Sequence, residues 1–233
     1  MLQKIDELFG AKIAAADGEI GRVKDLYFDD QSHVIRYLVV DTGTWLSDRQ
    51  VLLPPHVIDR WDRDQKSLAI RLTRKQIEDS PPIDAHRPVS RQSEQAFHRH
   101  YGWQAYWDGG GMWGIAGFPV VGTALRKNAR PHHGHNQRDD LHLRSTHAVT
   151  RYGVYSSDGA VGILRSFMVD DKSWTIGELV VKTGHWYSGR EILIRAEKIE
   201  RISYDESRIY LDLTSAEIEQ TANFSVVPIA PEL

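Results

Sequence analysis

The chain has 233 residues, of which 41% are hydrophobic and 26% charged, and its formal net charge is -3 at pH 7. This composition is typical of a folded protein with one large or two small domains, and it excludes the collagen-like and disordered classes. No window approaches the roughly 18 uninterrupted apolar residues of a membrane helix, and the amino-terminal residues contain no apolar signal sequence. We therefore expect no transmembrane segment and a cytoplasmic location. The chain contains no cysteine, which excludes disulfides, thiolate metal sites and cysteine nucleophiles.

The segment 1–80 is predicted to form a series of short β-strands. Five stretches are rich in β-branched and aromatic residues, and Asp-Gly, Asp-Asp, Thr-Gly and Pro-Pro sequences separate them: 20–28, 34–40, 51–53, 57–61 and 68–72. A sixth strand is expected before Asp17, and Thr73 is expected to cap one or two helical turns. Six short strands in a segment of this length can cover their apolar face only by curling into a small barrel.

The same series occurs a second time further along the chain. Asp17–Ser80 aligns with Asp158–Thr221 without a gap, and about a third of the aligned positions are identical. Because no insertion interrupts the alignment, the turns as well as the strands have the same lengths in both copies. The sequence therefore predicts two all-β modules, at 1–80 and 149–233, joined by a linker at 81–148.

Three segments of the first copy carry a resemblance to a known family. They are Gly-Glu-Ile-Gly-Arg-Val-Lys-Asp-Leu-Tyr-Phe-Asp at 18–29, Ile-Arg-Tyr-Leu-Val-Val-Asp-Thr-Gly at 35–43, and Arg-Gln-Val-Leu-Leu-Pro at 49–54. In this order they resemble the PRC-barrel domain, which is shared by the cytoplasmic part of the photosynthetic reaction centre H subunit and the carboxyl-terminal half of the ribosome maturation factor RimM. The second copy keeps the pattern, with Arg195 in place of Pro54 and Lys182 in place of Asp41. The resemblance implies two tandem PRC-barrels, each of about six strands with a short C-terminal helix.

The linker at 81–148 differs in composition from both copies. It contains eight of the eleven histidines and a run of three glycines, and its net charge is about +3. A short helix is expected at 90–100, whereas 128–144 is polar and is expected to be disordered or extended. The linker also contains three tryptophans that we expect to form a strap filling the groove between the barrels: Trp103, Trp107 and Trp113.

Neither a metal site nor a catalytic site is predicted. His132, His133 and His135 offer imidazole ligands, but they lie beside a proline and a glycine, outside the regular structure that a rigid metal site needs. The paired aspartates at 29–30 and 170–171 lie between strands, where aspartate commonly stabilises turns. The sequence contains no nucleophile elbow, phosphate-binding loop, dinucleotide fingerprint or zinc-protease motif. We therefore expect no cofactor and no enzymatic activity.

The strongest interaction candidates are a tryptophan and an arginine that both copies share. Trp45 follows a Thr-Gly sequence and precedes Arg49, and Trp186 and Arg190 repeat this arrangement. Tryptophan and arginine are enriched at binding hot spots, which favours a partner site. The alternative is that the indole plugs the open end of the barrel and the arginine covers it.

The sequence thus predicts a non-enzymatic protein-interaction or assembly module whose protein partner is unidentified. An internal repeat can reproduce the symmetry of a homodimer inside one chain, and a homo-oligomer also stays open. The resemblance to RimM implies an alternative role in association with RNA or the ribosome, to which the acidic modules give little electrostatic support. The resemblance to the H subunit implies another, as a subunit associated with a photosynthetic or electron-transfer complex.

Overall fold

The computed structural model of the chain describes residues 1–47, 49–81, 96, 98–103, 142–184 and 190–222. After β1 (Leu2–Lys4) and a 3-10 turn at Ile5–Glu7, the first module contains six strands and a short helix. These are β2 (Lys12–Ala15), β3 (Gly18–Asp29), β4 (Ile35–Asp41), β5 (Gln50–Leu53), β6 (Ile58–Asp62), β7 (Ser67–Ile70) and α1 (Arg74–Glu78). Further 3-10 turns lie at Gly43–Leu46 and Pro55–Val57.

The second module repeats these elements in the same order. It is preceded by β8 (Leu143–Ser145) and α2 (Thr146–Val149), both of which overlap the range expected to be linker. Its own elements are β9 (Gly153–Ser156), β10 (Gly159–Asp170), β11 (Ile176–Thr183), β12 (Glu191–Arg195), a 3-10 turn at Ala196–Lys198, β13 (Ile199–Ser203), β14 (Arg208–Leu211) and α3 (Ser215–Ala222).

The two sheets have the same strand order. The first runs β5-β4-β3-β2-β7-β6 and the second runs β12-β11-β10-β9-β14-β13. Neighbouring strands are antiparallel except for the parallel pairs β2 with β7 and β9 with β14. The prediction of tandem all-β modules, each with six strands and a short C-terminal helix, is therefore confirmed. The expected closure is not found in the described residues, because a 3-10 turn joins β5 to β6 where a hairpin would have paired them.

Each sheet receives a seventh strand from the other half of the chain. β1 pairs with β10, with Leu2 opposite Asp170, and β8 pairs with β3, with Leu143 opposite Asp29. These two pairings are related by the same offset as the two copies of the repeat. The modules therefore exchange strands about a pseudo-twofold axis, an arrangement that the sequence did not predict.

The pseudo-twofold axis passes through a backbone bridge between the modules. Val34 and Thr175 form an antiparallel bridge and occupy equivalent positions in the two copies of the repeat. The amide of Ile35 donates to the carbonyl of Trp174 at 2.7 Å, and the symmetry-related amide of Ile176 donates to that of His33 at 2.8 Å. The two modules are thus joined by main-chain hydrogen bonds at their centre.

One apolar core extends through both modules. The rings of Phe28 and Phe167, both fully buried, lie with their centroids 5.6 Å apart. The buried residues around them belong to a single cluster that includes strands of both sheets. In the described parts of the chain, no helix is both long enough and apolar enough to span a membrane.

The first aspartate of each pair between the strands stabilises a turn, as predicted, whereas the second forms ion pairs. A carboxylate oxygen of Asp29 accepts hydrogen bonds from the amides of Gln31 and Ser32 at 3.1 and 2.8 Å. The Asp170 carboxylate accepts from the two equivalent amides of the second module at 3.0 and 2.9 Å. Hydrogen bonding and the neighbouring Arg36 guanidinium outweigh burial and lower the pKa of Asp29.

Candidate interaction site

An open groove of about 610 Å³ lies in the first module where β3 begins and β4 ends. A glycine makes this close approach of two strands possible. Gly21 has φ of 154°, and a Cβ at this position would lie 2.0 Å from the carbonyl oxygen of Asp41. Gly162 has the same role in the second module, where its Cβ would lie 2.1 Å from the carbonyl oxygen of Lys182. Gly21 and Gly162, which match in the repeat, are therefore required by strand packing.

Trp45 forms one wall of this groove, which we name the Trp45 groove. It lies in the 3-10 turn at Gly43–Leu46, which starts where the Asp41 carboxylate accepts a hydrogen bond from the amide of Gly43 at 2.9 Å. The indole is half-buried and packs against the core, and the guanidinium of Arg74 lies over its ring at 4.6 Å. The indole thus contributes both to the core and to the groove, and Arg74, which sequence reasoning missed, is the cation that covers it.

The charged side chains around the Trp45 groove compensate one another. Glu19, Arg22, Lys24 and Asp41 line it. Lys24 lies 3.8 Å from Asp41, and Arg22 donates to a backbone carbonyl at 3.1 Å. Exposed pairs of this kind contribute little to stability, and they leave the groove close to electrically neutral. The groove is therefore suited to a segment with apolar and polar groups and little net charge.

Arg49, the arginine that follows the Trp45 indole in the sequence, contacts the end of α1. Its guanidinium donates to the carbonyl oxygen of Glu78 at 3.1 Å, to that of Ser80, and to the Ser80 hydroxyl at 3.3 Å. These acceptors lie at the C-terminal end of α1, where a cation satisfies otherwise unpaired carbonyls. Arg49 therefore fastens α1 to the sheet, and Arg74 is the arginine whose guanidinium lies over the Trp45 ring.

The second copy of the motif is only partly described. Arg190 is exposed, and its backbone carbonyl accepts hydrogen bonds from the amide and the hydroxyl of Thr183 at 2.9 and 3.0 Å. Trp186 lies outside the described residues, as do Trp107 and Trp113 of the expected strap and the three histidines at 132, 133 and 135. Among the residues that are described, no three acidic or histidine side chains come together as metal ligands would.

Trp103 belongs to an aromatic cluster that packs on the outer face of the first module. Its ring stacks on Tyr101 with centroids 4.1 Å apart and meets His56 edge-on at 4.8 Å. Its amide donates to the carbonyl of His98, a buried residue whose Nε2 lies 3.0 Å from the hydroxyl of Tyr37. Residues 98–101 are helical, so a single turn of helix presents these rings to β4. Trp103 thus contacts Tyr101 and His98 of the linker and His56 of the first module.

Burial keeps His56 and Tyr101 of this cluster uncharged. Desolvation is the main cause that lowers the pKa of His56 to about 4, and the charges of His98 and Arg71 lower it further. Burial also raises the pKa of the Tyr101 hydroxyl. Both rings are therefore neutral near pH 7, which suits a cover over apolar strand residues.

The first module, an all-β sheet with a short helix, matches a known family. The PRC-barrel domain family matches residues 3–76, which include all six strands of the first module. The first module is therefore a PRC-barrel domain. The match does not include the second module, whose strand order nevertheless repeats that of the first. No curated protein matches the chain.

Proposed function

We propose that this protein is a non-enzymatic interaction scaffold that binds a segment of a protein partner in the Trp45 groove. The observation that carries the proposal is the half-buried indole with a guanidinium over its ring at the edge of an open groove. Tryptophan and arginine provide much of the binding energy at protein interfaces because they combine large contact area with directed donors.

The construction of the molecule supports a scaffolding role. Strand exchange and the bridge at Val34 and Thr175 join the two modules through main-chain hydrogen bonds, so the surfaces of both modules have a fixed position relative to each other. A binding site on a rigid sheet loses less conformational entropy when it is occupied than one on a free loop. A cytoplasmic location stays a prediction.

Site-specific photocrosslinking in cells tests this proposal. A photoreactive amino acid at Thr44, an exposed residue of the groove, is expected to capture the same protein reproducibly. The matched control carries it at Asp59, which is exposed on β6 and does not line the groove. A captured protein common to both positions, or the absence of any protein adduct at Thr44, would refute the proposal. An adduct with RNA would favour the alternative of a ribosome-associated factor.

A further inference from the structure

The two modules present the same sheet face with different side chains. On the outer face of the second sheet, Tyr155 of β9 lies opposite Tyr210 of β14, and Tyr210 lies opposite Arg201 of β13. At the same strand register and the same offset along the chain, the corresponding residues of the first module are Ala14, Ala69 and Arg60. Because the first module builds the same strand order with alanine at both tyrosine positions, the fold itself does not require these rings.

The side chains of this face are ordered against one another. The guanidinium of Arg201 lies 3.9 Å from the ring centroid of Tyr210, and that of Arg208 lies 4.7 Å from the ring centroid of Tyr155. The two tyrosine ring centroids are 5.9 Å apart. We name Tyr155, Arg201, Arg208 and Tyr210 the arginine–tyrosine face. Cation–π stacking holds both guanidiniums in place before any partner arrives, which reduces the entropy lost on binding.

A glycine gives the first of these rings its position. Gly153 lies beside Tyr155 on β9, and a Cβ at this position would lie 2.9 Å from Cε2 of the tyrosine ring. The first module has Lys12 at the corresponding position. Ile163, which lies opposite Gly153 on β10, is 49% exposed and extends the face with apolar surface.

The charge of the face also differs between the modules. In the first module the face contains acidic residues that balance its cations: Glu19 lies 3.7 Å from Lys12, and Asp41 lies 3.8 Å from Lys24. In the second module the residues at those two acidic positions are Ala160 and Lys182. Lys182, Arg201 and Arg208 are exposed and outnumber Glu206, the carboxylate near Arg201, so the second face has a net positive charge although the module that carries it is acidic.

We propose that the arginine–tyrosine face is a docking surface for an acidic segment of a protein partner. Tyrosine and arginine are enriched at protein interfaces, and carboxylates of the partner would pair with the outward N–H groups of the two guanidiniums. Exposed Ile163 favours a protein segment with apolar side chains over a nucleic acid strand. The Glu206 carboxylate accepts from the Tyr210 hydroxyl at 2.7 Å and lies 3.7 Å from Arg201, so it compensates part of the charge of Arg201 and leaves Arg208 as the stronger anion partner.

The proposal is independent of the Trp45 groove, because the two surfaces lie on different modules and share no residue. It makes the protein a scaffold with two chemically different faces, one nearly neutral and one cationic. The acidic segment is recognised by its carboxylates and by side chains that can pack on tyrosine rings and on Ile163.

Fluorescence anisotropy with a labelled random copolymer of glutamate and tyrosine tests the proposal on the full chain. The variant Arg201→Gln/Arg208→Gln is expected to bind at least about tenfold more weakly than the wild type. The matched control Lys12→Gln/Arg60→Gln removes two exposed cations from the same face of the first module and is expected to change affinity less than about twofold. Equal losses in both variants, or no binding of the copolymer to the wild type, would overturn the proposal.

A second variant separates docking from folding. Tyr155→Ala/Tyr210→Ala introduces the residues that the first module has at these positions, so it is expected to fold and to lose binding of the copolymer. Binding unchanged in this folded variant would overturn the role of the rings. An oligouridylate of similar length and charge density is the competing probe. If it binds more tightly than the copolymer, and if the arginine variant loses this binding, the face is assigned to nucleic acid. Capture at Thr44 by the arginine variant distinguishes failure of this surface from failure of the Trp45 groove.

Discussion

Replacing Phe28 by alanine tests whether the two modules share one core. Phe28 is fully buried in β3 of the first module, and its ring centroid lies 5.6 Å from that of Phe167 in the second. Truncation of a buried phenylalanine costs about 3–5 kcal/mol of unfolding free energy, and loss of the aromatic pair accounts for about 0.5–1.5 kcal/mol of this. Because the core is continuous, we expect this loss to destabilise both modules equally.

Native-state hydrogen exchange measures the effect strand by strand. In Phe28→Ala, amide protection should fall by about two to four orders of magnitude in β10 and β11 as well as in β3 and β4. The reciprocal variant Phe167→Ala should lower protection in the first module, and the double mutant should show a coupling energy of about 0.5–1.5 kcal/mol. Wild-type protection of the second module in Phe28→Ala would refute the shared core.

Three further predictions concern the first module. Gly21→Ala places a Cβ against the Asp41 carbonyl and is expected to lower the free energy of urea unfolding by about 1–3 kcal/mol. Gly159→Ala, where the Cβ would meet nothing within 4 Å, should change this free energy little, and equal effects would contradict the packing role of Gly21. Arg49→Gln removes the contacts to the end of α1 and should lower the unfolding free energy by about 1–2 kcal/mol. Arg190→Gln should change it by less than about 0.5 kcal/mol, and the reverse order would contradict the role of Arg49 in fastening α1. The lowered pKa of His56 means that the unfolded chain binds more protons than the folded chain between about pH 4 and 6.5. The contribution of neutral His56 to the unfolding free energy is therefore complete above pH 6.5 and is lost as the pH falls towards 4. Solvent access to the half-buried ring limits this loss to about 1–2 kcal/mol, and an unfolding free energy with the same pH dependence in wild type and His56→Gln would contradict it.

The strands and their repetition could be predicted because they are local properties of the sequence. The stretches at 20–28 and 34–40 have the composition of strands, and β3 and β4 extend over them with differences of one or two residues. The gap-free alignment likewise anticipated the identical strand orders. These features depend on propensity, turn residues and spacing, which a single sequence displays directly.

The exchange of strands could not be predicted in the same way. β1 and β8 have three residues each, and only their leucines are identical, so the repeat is not recognisable before Asp17. The partner of each strand lies in the other half of the chain and is determined by tertiary packing. The same limit applies to Arg74, which reaches Trp45 only because α1 folds back towards the 3-10 turn.

The arginine–tyrosine face was missed because the two copies were compared for what they share. Tyr155 and Tyr210 lie at positions where the other copy has alanine. Residues that differ at equivalent positions of a duplicated fold are the ones that the fold leaves free to vary. Of the two tyrosines, Tyr210 lies within the gap-free alignment, whereas Tyr155 precedes it and is placed beside Tyr210 only by the fold.

An engineered disulfide across the pseudo-twofold axis tests the central claim, that the two modules form one strand-exchanged unit. Val34 and Thr175 are opposite each other in a bridge flanked by hydrogen bonds, a geometry in which the Cα atoms lie about 4.5 Å apart and a disulfide can form. Because the natural chain contains no cysteine, Val34→Cys/Thr175→Cys has only this pair of thiols, and the two single variants control for bonds between chains. We expect an intrachain disulfide in monomeric protein under mild oxidation, seen by intact mass and non-reducing electrophoresis. Two free thiols, or a disulfide only between chains, would contradict the account.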